Sequence, residues 1–280
     1  MKKRKEIEEL TIADDFMFGA VMSDPKLCKP LLEYILNIKI RQIEYPELQK
    51  TIDKRYDSKS VRLDVYVEDD KNTVYNVEIQ TTNKKNLPKR MRYYQGIIDL
   101  NIIDKGEDYA ELKKSFVIFI CTFDPFGKDR YIYTFKNRCD EEISITLDDD
   151  AVKVVVNVNG KIGDISEELR DTLNYIAGGV PKTDYVKSID TAVGDVKKDK
   201  KWRREYMTLY MRDKEHEKFG KYAKTISLIR KKKNSYDEDT LMDLYDVNKT
   251  ECKKIIFYID NYPEWDDEDI ADKLLNDDEE

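Results

Sequence analysis

Asp64, Glu78 and Gln80 are the residues whose types and spacing could do chemistry. In "VRLDVYVED" (61–69) apolar and polar residues alternate, so Val61, Leu63, Val65 and Val67 share one strand face and Arg62, Asp64, Tyr66 and Glu68 the other. In "TVYNVEIQT" (73–81) Val77 and Ile79 point opposite to Glu78 and Gln80. The turn "DDKN" between the segments predicts a hairpin, and a suitable register brings Asp64 within reach of Glu78 and Gln80, which project side by side. Two facing carboxylates repel each other, and a hard divalent cation, Mg²⁺ or Mn²⁺, removes that repulsion; the Ile79 carbonyl is a candidate further ligand. A cation held this way polarises a phosphoryl oxygen and acidifies a bound water, which is the chemistry of phosphodiester hydrolysis. On spacing alone, the same residues also describe an ordinary solvated sheet face.

The segment that follows suits a polyanionic substrate. "KKNLPKRMRYY" (84–94) carries Lys84, Lys85, Lys89, Arg90 and Arg92, candidates to neutralise DNA phosphates, and Pro88 opens a helix whose first backbone N–H groups can also meet an anion. Met91, Tyr94, Ile97 and Ile98 recur at helical spacing to about residue 104. One of Tyr93 and Tyr94 is expected to pack against the sheet, Gly106 to end the helix as its C′ residue, and Tyr109 to anchor the loop.

The remaining elements must position that strand pair and helix. "IADDFMFGAVM" reads as a first helix with Phe16, Ala20 and Val21 inward. Asp24–Pro25 is an N-cap and N1 pair before Leu27, Leu31, Tyr34, Ile35 and Ile38. "FVIFICTFD" (116–124) is a continuous apolar run suited to a strand buried on both faces, and "RYIYTFKNRC" and "AVKVVVNVNG" are further strands. Helices, hairpin, helix and buried strand in that order predict an α/β domain with a mixed sheet. Helical pattern returns after about residue 165, with "GGVPKTD" (178–184) as punctuation, a long basic helix over 196–233, and short helices including Glu238–Leu244 and Lys249–Ile259.

Charged residues make up 39% of the 280-residue chain and no apolar run approaches the roughly 18 residues a membrane helix needs, so a membrane span is not expected. The start "MKKRKEIEEL" lacks the apolar region of a secretory signal, and the four scattered cysteines lack paired spacing, which together predict a cytoplasmic protein with reduced thiols. The net charge of −8 argues against bulk coating of nucleic acid but hides a polarised chain. Residues 195–233 hold 15 Lys/Arg against 6 Asp/Glu, whereas residues 234–280 hold 4 against 17. These are either solvated helix faces that attract one another or a basic arm for nucleic acid with a competing acidic tail. His216 lies inside the charged run "RDKEHEKFGK" and reads as a solvated helix residue rather than a general base.

Read together, "DDFMFGAVMSDPKLCKPLLEYIL", "LDVYVEDDKNTVYNVEIQ", "PKRMRYYQGIIDLNIIDKGEDYAELKKSFVIFICTFDPF" and "YIYTFKNRC" resemble, in order and spacing, the PD-(D/E)XK nuclease family transposases, the recombination-promoting nucleases, over roughly residues 10–180. The resemblance implies a restriction-endonuclease-like mixed central sheet flanked by helices over 1–180; it fades beyond about residue 180, where the helical pattern itself predicts a C-terminal helical extension over 181–280. It implies that Asp64 and Glu78 are the metal-binding acids of a Mg²⁺-dependent DNA endonuclease linked to DNA mobility, recombination or defence. Gln80 stands where the wider superfamily has a catalytic lysine; an amide can place a water but carries no charge, which leaves the cation unassigned, with Lys84 and Arg90 as candidates. Glu33 stands where the superfamily often has a further acid on its first helix, although its helical phase also suits an exposed structural carboxylate. The missing lysine equally motivates an alternative, a nucleic-acid or protein binding module that has lost useful catalysis. The C-terminal helices offer a surface for self-association.

Overall fold

The computed structural model describes residues 5–45, 51–52, 61–62 and 64–276. Leu63 and the side chains of Val61, Arg62 and His216, on which part of the expectations above rests, lie outside the described residues. Two compact units are present, Met1–Arg203 and Arg204–Glu280.

The first unit opens with helices α1 (Asp15–Met22) and α2 (Pro25–Leu36). Asp24 accepts the Lys26 N–H at 2.8 Å, Pro25 pre-sets the first helical φ, and Asn37 ends α2 in the left-handed region at φ 51°. Strands β1 (Ile43–Glu44), β2 (Thr51–Ile52) and β3 (Val61–Arg62) follow, with β2 and β3 forming a separate two-stranded sheet. Then come β4 (Val65–Asp69), β5 (Val74–Gln80), α3 (Leu87–Ile102), β6 (Ser115–Cys121), β7 (Ile132–Phe135) and β8 (Ala151–Asn157). The main sheet has the order β1-β4-β5-β6-β8-β7. Its centre, β5-β6-β8, is parallel, and β1-β4, β4-β5 and β7-β8 are antiparallel. This is an α/β fold with a restriction-endonuclease-like mixed sheet and flanking helices, as expected.

The β4-β5 hairpin turns where the sequence says it should. Asp69 accepts the N–H groups of Lys71 and Thr73 and the Tyr75 hydroxyl, and Asn72 takes the positive φ of 60° that the turn requires. The polar face of this hairpin is not solvated, however. Helix α3 lies over it, so that Tyr66, Val74, Val117, Phe119, Cys121 and Val155 of the sheet pack with Leu87, Met91, Tyr94 and Ile98. The other face, with Val65, Val67, Val77, Ile118 and Ile120, is buried as well, and α1 packs against β5. A strand expected to be half-buried is covered on both sides.

Two details around α3 differ from expectation. Ile103 is the C-cap, and Gly106 (φ 100°) sits further on, in the turn closed by the Glu107 N–H to the Asp104 carbonyl at 3.2 Å. Tyr109, expected to anchor the loop, is 83% exposed.

Helices α4 (Glu167–Ile176) and α5 (Asp184–Lys198) belong to the first unit. The reason is packing: α5 buries Val186, Ile189, Val193 and Val196, runs against α1 and α2, and sends the Tyr185 hydroxyl to the Leu27 carbonyl at 2.7 Å. The basic helix is broken at Asp199, whose carboxylate accepts the Lys201 and Trp202 N–H groups and so starts α6 (Lys200–Lys232) afresh.

The second unit comprises the later turns of α6 with α7 (Glu238–Tyr245), α8 (Lys249–Asn261) and α9 (Asp267–Asn276). Its core is Ile226, Ile229, Leu241, Cys252, Ile255, Ile270 and Leu274. Within it the basic end of α6 meets the acidic segment, since Arg230 pairs with Asp267 at 2.7 Å and Lys233 with Asp260. Opposite charges here are partners in one small helical unit. Among the described residues no helix is long and apolar enough to cross a membrane.

Candidate active site

Asp64, Glu78 and Gln80 meet at the ends of the central strands, under α3. The last β4-β5 pair is Val65 with Val77, so Asp64 stands one residue before the ladder, beside Glu78. There, side chains take over from the ladder. Glu78 Oε1 accepts the Asp64 N–H at 3.1 Å, and Asp64 Oδ2 accepts the Ile79 N–H at 3.1 Å. Each carboxylate is thus fixed by the peptide next to the other. In an antiparallel strand a residue's N–H and carbonyl face the same neighbour, so the Ile79 carbonyl also faces the Asp64 side.

Glu78 is only 2% exposed, and Asp64 is half-buried. Burial pushes the Glu78 carboxyl well above the ordinary carboxylate range, and the Asp64 charge pushes it further. The Asp64 N–H, the Arg90 guanidinium and the Asn76 amide work the other way. With its nitrogen turned to donate, that amide reaches Glu78 Oε1 and the Val65 carbonyl at 3.2 Å each.

Arg90 enters from the first turn of α3. Its Nη1 donates to Gln80 Oε1, its Nη2 donates to the Tyr94 hydroxyl at 2.8 Å, and Nη2 lies 3.5 Å from Glu78 Oε2. The guanidinium also sits over the Tyr94 and Phe119 rings, 5.2 and 5.1 Å from their centroids. Gln80 has its other end occupied, for Nε2 donates to the Thr82 carbonyl at 2.8 Å. Burial and the Glu78 charge hold the Tyr94 hydroxyl up at about 12, and burial holds the Cys121 thiol up at about 12, so both stay protonated at neutral pH. A cysteine nucleophile has no support here.

Four of the five expected phosphate contacts are on the surface. Lys84, Lys85, Lys89 and Arg92 are exposed, and their side chains form no ion pair among the described residues. Arg90 is the exception, because it is turned inward to the acids. Asn86 makes no side-chain hydrogen bond to the first turn of α3, whose N–H groups, Pro88 excepted, are therefore not capped by that side chain.

Glu33 stands elsewhere. It accepts the Ile40 N–H at 2.8 Å and pairs with Lys29 at 3.5 Å and Lys39 at 3.9 Å, which fixes the chain after α2. Among the described residues no group of three His, Cys, Asp or Glu could hold a metal ion, and the Glu33 carboxylate is engaged by Ile40, Lys29 and Lys39. Two carboxylates with nearby amide and peptide oxygens still form an all-oxygen donor set, which fits a hard cation that keeps several waters. Asn76 was missed in the sequence, although its position two before Glu78 puts it on the same strand face.

A mixed sheet flanked by helices, with an acidic pair where the central strands end, defines the nuclease-like α/β class. Residues 13–149 match the family model described as PD-(D/E)XK nuclease family transposase, in agreement with the resemblance read from the motifs. No curated protein and no solved structure matches the chain significantly.

Proposed function

We propose that the protein is a metal-dependent DNA endonuclease, linked to DNA mobility, recombination or defence. The observation that carries this reading is the pairing of a buried Glu78 with Asp64, two acids cross-tied through each other's backbone and faced by a guanidinium. Burying an acid beside another acid costs stability, and a cation that both can share offsets that cost. Asp64 and Glu78, with the Ile79 carbonyl, would hold Mg²⁺ or Mn²⁺, which when bound polarises the phosphoryl oxygen and acidifies a water.

The chain's own residues do the rest. Lys84, Lys85, Lys89 and Arg92 bind flanking phosphates, and the opening turn of α3 receives another, so the scissile phosphate is drawn to the acidic pair. Water adds to phosphorus, the ester P–O bond breaks, and the leaving oxygen ends as an alcohol after taking a proton. The test is nicking of supercoiled plasmid with Mg²⁺ or Mn²⁺, beside EDTA and the Asp64→Ala, Glu78→Ala double variant. Metal-dependent nicking by the wild type alone is expected. Undiminished nicking by a folded Glu78→Ala protein would sink the assignment, and a wild type that binds DNA but is silent with every metal would favour the binding module.

A further inference from the structure

We infer that Arg90 supplies the fixed positive charge of this centre and that Gln80 is its positioning residue, rather than a residue that places water. The inference rests on the nuclease reading of the same site and goes beyond it by assigning the cation.

Both ends of the Gln80 amide are already used. Its oxygen accepts from Arg90 Nη1 and its nitrogen is tied to the Thr82 carbonyl at 2.8 Å, an arrangement that orients the amide toward the arginine. A lysine at position 80 would set an ammonium against the guanidinium, whereas an amide oxygen receives it. Arg90 is further fixed by Tyr94, one helical turn along α3, and by the rings of Tyr94 and Phe119. Its side chain is nevertheless 33% exposed. A guanidinium has five N–H donors, so donors remain for a phosphoryl oxygen brought to that open side. Preorganised charge of this kind, aimed where negative charge develops, needs no reorganisation during the reaction.

The same placement has a second consequence. Arg90 Nη2 lies 3.5 Å from Glu78 Oε2, so a divalent ion taking that carboxylate feels a fixed like charge close by. Arg90 should therefore weaken metal binding while speeding cleavage, a pair of opposed effects that a merely structural arginine would not produce.

The experiment uses the full chain as wild type, Arg90→Met, Arg90→Lys, Gln80→Ala and the Gln80→Ala, Arg90→Met double variant, with folding checked by circular dichroism. Mn²⁺ affinity is measured without DNA by calorimetry, in buffer alkaline enough to ionise Glu78, and plasmid nicking is measured separately. Arg90→Met is expected to bind Mn²⁺ about tenfold more tightly and to nick about a hundredfold more slowly. Arg90→Lys should recover part of the rate, and Gln80→Ala should lower kcat more than it changes KM. Adding Gln80→Ala to Arg90→Met should cost little more, because the two residues act as a unit. Unchanged or weaker Mn²⁺ binding in Arg90→Met, or additive losses at positions 80 and 90, overturns the inference while leaving a wild-type nuclease intact. If Arg90→Met does not fold, Arg90→Lys and Gln80→Ala carry the test: Gln80→Ala as fast as wild type overturns it. A wild type that neither binds Mn²⁺ nor nicks DNA removes the nuclease reading itself, and the inference with it.

Discussion

Glu78→Gln should stabilise the first unit as pH rises, in the absence of metal, even as it removes a metal-binding acid. The folded protein holds the Glu78 proton more tightly than the unfolded chain does, because burial and Asp64 raise its pKa well above the ordinary 4.5. Stability from this group is therefore fully present below the ordinary value and is lost as pH climbs toward the folded value, at up to about 1.4 kcal/mol per pH unit inside that window. Glutamine carries no such proton. Its oxygen can keep the Asp64 N–H and the Asn76 amide that Glu78 Oε1 accepts, while its nitrogen replaces Oε2 opposite Arg90 and gives up the ion pair at 3.5 Å. That loss offsets part of the gain but does not follow the proton. In the difference between the two proteins other titrating groups largely cancel, so the stability of Glu78→Gln relative to wild type should grow with pH through the window and then level off. Urea unfolding in EDTA at a series of pH values measures it. A Trp265→Phe background in both proteins leaves Trp202 as the reporter, edge-on to Phe16 at 6.1 Å within the first unit. A difference that is flat with pH, or that shrinks as pH rises, refutes the buried, doubly raised acid.

Two other outcomes follow from the placement of charge. Lys89→Ala with Arg92→Ala should weaken DNA binding and lower the slope of log K against log salt by about 1.8, at about 0.9 for each phosphate no longer neutralised; an unchanged slope removes both residues from the DNA interface. Glu33→Ala should leave nicking at the wild-type rate and lower stability by about 1 kcal/mol, because the Ile40 N–H loses its acceptor; a hundredfold fall in rate without loss of stability would return Glu33 to the metal centre.

Much of the fold was legible because its local signals agree with its packing. Asp24–Pro25 starts α2, "DDKN" turns the hairpin, and the unbroken apolar run of β6 is a parallel strand with neighbours on both sides. What alternation did not show is what lies above the polar face. The period of β4 and β5 separates Glu78 from Val77 but says nothing of α3, which reaches the sheet through a connection whose path is set by tertiary packing. Hence alternation left a solvated face open as one reading of Glu78, which is 2% exposed in the fold. The unit division after Arg203 was hidden for a related reason, since Gly178 and Gly179 mark a turn between α4 and α5 that does not separate compact bodies.

The inward turn of Arg90 was within reach of the sequence once α3 was granted. An α-helix advances about 100° per residue, so with the buried residues Leu87, Met91, Tyr94 and Ile98 defining one side, Lys89 and Arg92 fall on the far side and Arg90 falls at the margin beside Tyr94. A marginal arginine can lay its stem along apolar surface and carry its head to a buried acid, where a cation on the far side cannot follow. The cluster "KKNLPKRMRYY" is therefore two things at once: cations left facing solvent, suited to phosphates, and one cation drawn in by Glu78 and received by Gln80. The choice of glutamine two residues after the glutamate then has a physical reason, because at that point the site already has its positive charge and lacks only an acceptor to hold it in place.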